Sequence, residues 1–156
     1  MLLLHKRIFY MIEFKDVSTK AKKGLDGLNN YSRIISDHDF CALPMTEGLQ
    51  VINAMLGFQP LTQGFLTFDG EPLTASSASF LRKMMAYVPA PVGFEGVTDE
   101  ADKQFQMVKE ALESGADIIL AVNPVSHQRP EVAQNIIASL KQKAEQGAIV
   151  VLAVKE

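Results

Sequence analysis

The sequence predicts an α/β protein in which a parallel sheet with crossover helices follows an N-terminal antiparallel β layer. Two almost continuous apolar stretches, ADIILAVNP and AIVVLAV, are typical of strands buried on both faces of a parallel sheet. A helical pattern that begins at Pro130 lies between them, and strand, helix and strand in this order form a right-handed βαβ unit by default. The apolar positions of that helix are Val132, Ile136, Ile137 and Leu140.

The first half of the chain predicts strands of a different kind. Apolar and polar residues alternate or form short apolar runs in four segments, which are Met11–Val17, Tyr31–Ser36, Phe40–Leu43 and Gly64–Gly70. The last of these runs into an Asp-Gly pair, which is a strong signal for a hairpin turn. Phe40–Leu43 leads through a predicted tight turn, PMTEGLQ, into an amphipathic helix that ends near Phe58.

The segment from Ser76 onwards predicts two more helices with a strand between them. Ser77 or Ser79 is expected to cap a short helix over FLRKM, and a strand follows at Met84–Val88. Thr98 is the expected N-cap of a longer helix, which runs through Glu113 and stops before a glycine.

Bulk composition indicates one ordinary domain over residues 1–156, with residues 1–10 as a loose extension. The chain has 156 residues, is 47% hydrophobic and carries a net charge of −3, with no basic stripe that would favour nucleic acid. No apolar run approaches the roughly 20 residues that span a bilayer, so direct membrane insertion is not expected. The single cysteine, Cys41, fits a reducing cytoplasm.

Seven segments in order carry a resemblance to the ATP-binding-cassette (ABC) ATPase domain of ABC transporters. They are MIEFKDVS, LDGLNN, FCAL, NAMLGFQPLTQGFLTFDGEPLT, LRKMMAYVP, ALESGADIILAVNP and PEVAQNIIASLKQKAEQGAIVVLAVKE. The resemblance implies a P-loop-NTPase-like core with parallel sheet and crossover helices. The family's helical subdomain is expected to be largely missing, because the segment between Ala90 and Val122 is too short for it.

The nucleotide-binding segment of that family is degenerate here. The family places glycines, a lysine and Ser/Thr before the helix, where they bind phosphates and Mg²⁺. PMTEGLQ has one glycine and no lysine, so Thr46, Gly48 and Gln50 remain only as vestigial nucleotide-binding positions. Glu47 is expected to satisfy the positive end of the helix itself and to repel a phosphate.

The other positions that the resemblance assigns to catalysis also differ. Ala21 stands where the family has an adenine-stacking aromatic residue, Ala90 replaces its glutamine, and Lys155 replaces its switch histidine. Val122 and Asn123 replace the Asp-Glu pair that holds Mg²⁺ and polarises water. We therefore expect no ATP hydrolysis, no catalytic residue, no metal site and no cofactor.

The resemblance then implies a cytoplasmic pseudo-ATPase that acts by protein contact as a subunit or adaptor of a transporter-like complex. The expected partner is a membrane permease, another ABC-type subunit or a second copy, and a permease would place the protein at the inner face of the membrane. The contact candidates are Val88, Pro89, Pro91 and Phe94. The alternative is an atypical ABC ATP-binding protein that still binds or hydrolyses ATP with magnesium in a composite site.

Two histidine-containing segments have a simpler interpretation than catalysis. Asp37-His38-Asp39 precedes a strand, where Asp commonly serves turn geometry, so a turn is favoured over a metal site. His127 precedes Pro130 and is interpreted as a solvated loop residue.

Overall fold

The computed structural model describes residues 11–22, 24, 26–90 and 97–155. The elements in chain order are β1 Met11–Thr19, β2 Tyr31–Ser36, β3 Phe40–Pro44, α1 Met45–Met55, β4 Leu61–Phe68, β5 Glu71–Pro72, α2 Ala75–Arg82, β6 Met85–Val88, α3 Val97–Glu113, β7 Ile118–Val122, α4 Pro130–Glu145 and β8 Ile149–Val154. The predicted loose extension, residues 1–10, lies outside the described residues.

The N-terminal half forms an antiparallel sheet with the strand order β2-β1-β4-β5. Ile12 and Phe14 of β1 are buried, and Lys15 is exposed, which is the alternation expected for a sheet with one solvent face. Asp69 and Gly70 join β4 to β5 with φ values of 54° and 85°, as a tight hairpin turn requires. The predicted antiparallel layer is confirmed.

The second sheet is parallel throughout, with the strand order β3-β8-β7-β6. Every residue of β7 is buried, because this strand has a neighbour on each side and helices over both faces. The two apolar stretches thus occupy the centre of the parallel sheet, as predicted. Among the described residues, α3 is the one helix between β6 and β7, in agreement with a largely missing helical subdomain.

Two hydrophobic clusters lie on opposite faces of the parallel sheet. The first joins one face to α1 and to the inner face of the antiparallel sheet, with Phe14, Ile52 and Val151 among its members. The second joins the other face to α3 and α4 through Val108 and Ile136. Helix α1 is therefore enclosed between two sheets, and its N-terminus lies at the carboxyl end of the parallel strands.

Two predicted helix starts are wrong. Thr74, not Ser77 or Ser79, is the N-cap of α2: its hydroxyl accepts from the Ser77 backbone N–H at 3.1 Å, and the Thr74 N–H donates to the Ser77 hydroxyl at 2.9 Å. This reciprocal capping box satisfies two backbone donors together, which neither serine alone would do. Helix α3 already includes Val97, so Thr98 lies inside its first turn. No helix among the described residues is long and apolar enough to cross a membrane.

Candidate functional site

The candidate site lies where β3 passes into α1. Strand β3 ends at Pro44 and helix α1 begins at Met45, so the predicted tight turn is absent and PMTEGLQ is helical from its second residue. A phosphate-binding loop needs several backbone N–H groups that curve around the anion before the helix begins. The direct junction leaves no residues to form such a loop.

Gly48 is a packing residue in this structure. A Cβ atom added at this position would lie 2.5 Å from Cβ and 2.6 Å from Cα of Ala153 in β8. Glycine therefore lets α1 cross the parallel sheet at close range. Gly48 is buried and faces the sheet, which places it away from solvent and from any ligand that approaches the open side of the helix.

Gln50 is also directed to the fold. Its side chain is 8% exposed, and its Nε2 donates to the backbone carbonyl of Asp26 at 2.8 Å. This bond attaches α1 to the connection that precedes β2. Of the three vestigial nucleotide-binding positions, Thr46 is the one with an exposed side chain.

Glu47 lies in the first turn of α1, where a negative charge favours the helix N-terminus, but it forms no capping hydrogen bond. No side-chain capping bond is formed at the start of α1; the Glu47 carboxylate instead accepts from the Tyr31 hydroxyl and lies 3.3 Å from Nη2 of Arg33. Nε of Arg33 donates to the Tyr31 hydroxyl at 2.7 Å. Burial raises the pKa of Tyr31, and the hydrogen bond to Glu47 raises it further, so the hydroxyl stays protonated and donates.

This Tyr31–Arg33–Glu47 cluster was not anticipated from the sequence. It ties β2 of the antiparallel sheet to the first turn of α1 and neutralises the Glu47 charge locally. Because both charged side chains keep about a third of their area exposed (38% for Arg33 and 32% for Glu47), water weakens the ion pair. The cluster therefore links α1 to β2 through bonds among its own side chains.

A shallow depression of about 370 Å³ beside α1 brings two predicted positions together, Ala21 and Thr46. Its wall also includes Lys22, Gly24, Asp26 and Leu49. Nζ of Lys22 donates one hydrogen bond to the carbonyl of Phe58 at 2.8 Å. Alanine supplies no ring face for a nucleobase, so the residues present do not fit a magnesium nucleotide.

Three other degenerate positions, Val122, Asn123 and Lys155, lie at or just after the carboxyl ends of β7 and β8. Val122 is 1% exposed, and Lys155 is exposed just after β8. Asn123 has a φ of 47°, and its backbone N–H donates to the carbonyl of Ala153 at 2.7 Å. Its amide side chain brings no negative charge to this edge, where a carboxylate would be needed to hold a cation.

Gln104 of α3 was missed by sequence reasoning. Its side chain is fully buried, and its Nε2 donates to the carbonyl of Asn123 at 3.3 Å. Its Oε1 has no hydrogen-bond partner among the described residues. A glutamine on a helix face that otherwise carries apolar residues was the only available signal, and such a position is usually read as solvent-facing.

The predicted partner-contact segment is only partly at the surface. Val88 is 1% exposed within the second hydrophobic cluster, so it cannot contact a partner, while Pro89 is half-buried. Pro91 and Phe94 lie outside the described residues. The side chain of Val88 is not at the surface because successive side chains of a strand point to opposite faces of the sheet. The neighbouring side chain, Tyr87, points outward and has 37% of its area exposed.

Tyr87 belongs to an exposed group that we call the aromatic patch, formed by Phe58, Arg82 and Tyr87. The rings of Phe58 and Tyr87 meet edge to face with their centroids 6.4 Å apart. The Arg82 guanidinium lies 5.9 Å from the Phe58 ring centroid, and its Nη1 donates to the carbonyl of Leu56 at 2.8 Å. Phe58 is 42% exposed, so a large part of its ring faces water.

The histidine segments behave as turns. Asp39 closes the first turn, because its carboxylate accepts from the Ser36 N–H at 2.7 Å, and His38 has a φ of 69°. His127 is exposed with a φ of 66°. No cluster of three or more His, Cys, Asp or Glu side chains in the described part of the chain could hold a metal ion.

Comparison with solved structures shows which class of fold this geometry belongs to. The chain is similar to an ATP binding subunit of an ABC transporter, with 15% identity, a TM-score of 0.69 and coverage of 93% of this chain and 79% of that chain. It is similar to CbiO1 of Clostridium perfringens, part of the ABC transporter complex CbiONQ, with 12% identity, a TM-score of 0.70 and coverage of 95% of this chain and 79% of that chain.

Two further similar structures extend this result. A putative ABC transporter ATP-binding protein from Pyrococcus furiosus has 13% identity, a TM-score of 0.65 and coverage of 94% of this chain and 92% of that chain. A bacterial Atm1-family ABC exporter with ATP bound has 12% identity and a TM-score of 0.69, and this chain spans 35% of its length. No protein-family model matches the sequence, and no curated protein matches it.

The protein therefore has an ABC ATPase-domain-like fold. Within this class it combines the parallel sheet and the antiparallel layer with a direct junction from β3 to α1. At 12 to 15% identity, the similarity establishes the fold and leaves the function to be argued from the site.

Proposed function

We propose that the protein is a non-hydrolysing ABC-type domain that acts as a subunit or adaptor of a transporter-like complex by protein contact. The observation that carries this proposal is the junction between Pro44 and Met45, which has no loop for a triphosphate. Phosphoryl transfer depends on positioning and on positive charge around the γ-phosphate. The proposal places the protein in the cytoplasm, at the membrane face when a permease is its partner.

The side chains around the junction support the same proposal. Gly48 packs against Ala153, and the side chain of Gln50 donates to the backbone carbonyl of Asp26. Among the predicted site positions, Lys155 is the one with a cationic side chain, and it is exposed. One solvated lysine supplies little of the charge stabilisation that a triphosphate with magnesium requires.

We expect no binding heat and no phosphate release when the protein is titrated calorimetrically with Mg-ATP. The alternative, a composite ATP site, predicts millimolar or tighter binding that is weakened by Lys155→Ala and Thr46→Ala. Lys83→Ala is the matched control, because Lys83 is an exposed lysine at the C-terminus of α2, at the opposite end of the parallel strands. Saturable heat that Lys155→Ala lowers and Lys83→Ala leaves unchanged would refute the proposal.

The aromatic patch is the proposed contact surface for a partner. Its two rings and the guanidinium above one of them offer the residue types that dominate binding energy at protein interfaces. Both rings are substantially exposed although each already packs against the other, so a partner could cover them without opening the core.

Replacing Phe58 and Tyr87 together by alanine is expected to abolish co-purification with a co-expressed permease subunit, while a cooperative thermal transition shows that the variant is still folded. Losing two exposed aromatic anchors costs an interface roughly 2–4 kcal/mol, or at least about thirtyfold in affinity. Phe65→Ala is the control, since Phe65 is 65% exposed on the antiparallel sheet. Co-purification that survives the double substitution, or that Phe65→Ala disrupts equally, would place the contact elsewhere.

A further inference from the structure

Phe105 of α3 is exposed at the surface beside α4. It keeps 44% of its area exposed, although Val108 and Ala111 of the same helix are buried in the second hydrophobic cluster. Two hollows flank this ring: the first has a volume of about 440 Å³ and the second of about 370 Å³, and Phe105 and Val132 line both of them. Phe105 is therefore an apolar protrusion between two depressions of the surface.

The second hollow is mainly apolar. Val108 and Ile136 form its floor, with 2% and 4% of their area exposed, and the half-buried Leu112 and Val132 form its walls. Its other lining residues are Phe105, Lys109, Asn135 and Ser139. Such a hollow favours an aromatic ring from a partner, because burial of the ring removes a large apolar area from water. An isologous contact between two copies needs this combination of a protrusion and a depression on one surface.

Two opposite charges lie on either side of Phe105 along α3. Asp102 lines the first hollow, and Lys109 lines the second. At a rise of 1.5 Å per residue, they stand about 4.5 Å and 6 Å from Phe105 along the helix axis, in opposite directions. Both side chains are exposed, and neither forms an ion pair or a hydrogen bond within the described part of the chain. Both charges are thus available to a partner.

We propose that the α3 face, formed by Asp102, Phe105, Lys109 and Leu112, binds the α3 face of a second copy about a two-fold axis at Phe105. The two α3 helices are then antiparallel. Helical side chains lean towards the N-terminus, so each Phe105 ring points to the side where the partner's second hollow lies.

The charges select this antiparallel arrangement. Asp102 faces the partner's Lys109 and Lys109 faces the partner's Asp102, because their distances from the axis differ by only about 1.5 Å along the helix. A parallel arrangement would set each charge against its own equivalent, which is unfavourable. Arg129 also lines the first hollow, but its Nε lies 3.3 Å from Oε1 of Glu131 in the same chain, which offsets its charge.

The mass of the wild-type protein is the first test. The inference does not depend on the proposed loss of ATP hydrolysis, and its test requires no nucleotide. Sedimentation equilibrium is expected to show a mass that rises with concentration from one chain of 17.1 kDa to two. Small interfaces are weak, so a dissociation constant of about 10–100 µM is expected. Protein that keeps the mass of one chain up to about 1 mM overturns the proposal.

Phe105→Ala is expected to raise the dimer dissociation constant at least about tenfold, because each dimer loses an aromatic anchor from both copies. Phe80→Ala is the matched control: Phe80 is an aromatic residue of α2 with 57% of its area exposed, and it lines neither hollow. This control is expected to dimerise like the wild type. A dimer that Phe105→Ala leaves unchanged, or that Phe80→Ala weakens equally, overturns the proposal.

Exchanging the two charges tests the register. Asp102→Lys sets two cations together at each contact and Lys109→Asp sets two carboxylates together, so each variant alone is expected to dimerise at least about tenfold more weakly than the wild type. An equimolar mixture of the two variants is expected to regain the wild-type dissociation constant, because each contact then joins one cation to one carboxylate. A mixture that dimerises no better than the separate variants overturns the antiparallel register.

Discussion

Gly48→Ala is expected to lower the free energy of unfolding by about 1–2 kcal/mol, measured by urea denaturation without any ligand. Overpacking a close contact costs about 1–3 kcal/mol, and the higher helix propensity of alanine returns up to about 1 kcal/mol. The new methyl group would stand 2.5 Å from Cβ and 2.6 Å from Cα of Ala153, and only a shift of α1 away from β8 relieves the overlap.

Two controls separate packing from any residual role in binding. Thr46→Ala lies in the same first turn with an exposed side chain, so it is expected to change stability by less than about 0.5 kcal/mol. Adding Ala153→Gly to Gly48→Ala should restore part of the loss, because it removes one of the two overlapping atoms. Gly48→Ala with wild-type stability would show that α1 and β8 do not approach this closely.

Gly64→Ala is expected to be more destabilising, by about 2–4 kcal/mol in the same assay. Gly64 has a φ of 79°, where a residue with a Cβ is strained by roughly 1–2 kcal/mol. An added Cβ would also overlap the carbonyl oxygen of Asp16 and lie 2.6 Å from that of Lys15. These are backbone atoms at a register irregularity between β1 and β4, and they cannot rotate away as a side chain can.

Gly70→Ala isolates the contribution of the backbone strain. Gly70 has a φ of 85°, yet an added Cβ would meet none of the described atoms within 4 Å. We expect a loss of about 1–2 kcal/mol from the left-handed conformation alone. If Gly64→Ala and Gly70→Ala destabilise the protein equally, Gly64 does not lie as close to the β1 backbone as the structure indicates.

The strands of the parallel sheet could be predicted because their environment leaves a direct mark on the sequence. A strand covered on both faces needs apolar residues at every position, and Ile118–Val122 meets that requirement without exception. The Asp-Gly turn could also be predicted from the two residues themselves, because both must adopt positive φ and Asp and Gly tolerate it. Such features depend on neighbours in the chain and can be read from one segment at a time.

Features that depend on residues distant in sequence could not be predicted. The close contact of Gly48 with Ala153 could not be predicted, because Ala153 is far away in sequence. Glu47 lies in the first turn of α1 as expected, but its bonds to Tyr31 and Arg33 of β2 could not be read from the sequence. The cap of α2 was misplaced because several hydroxyl residues compete there, and the reciprocal bonds with Thr74 decide among them.

The abrupt passage from Pro44 to Met45 has a consequence for how the protein can evolve. Point mutations could supply a lysine or an acidic side chain nearby, but they cannot lengthen the chain. To regain an anion cradle here, the gene would need codons inserted in frame between two rigid elements, and intermediates with only part of that insertion would disturb α1 without yet gaining a ligand.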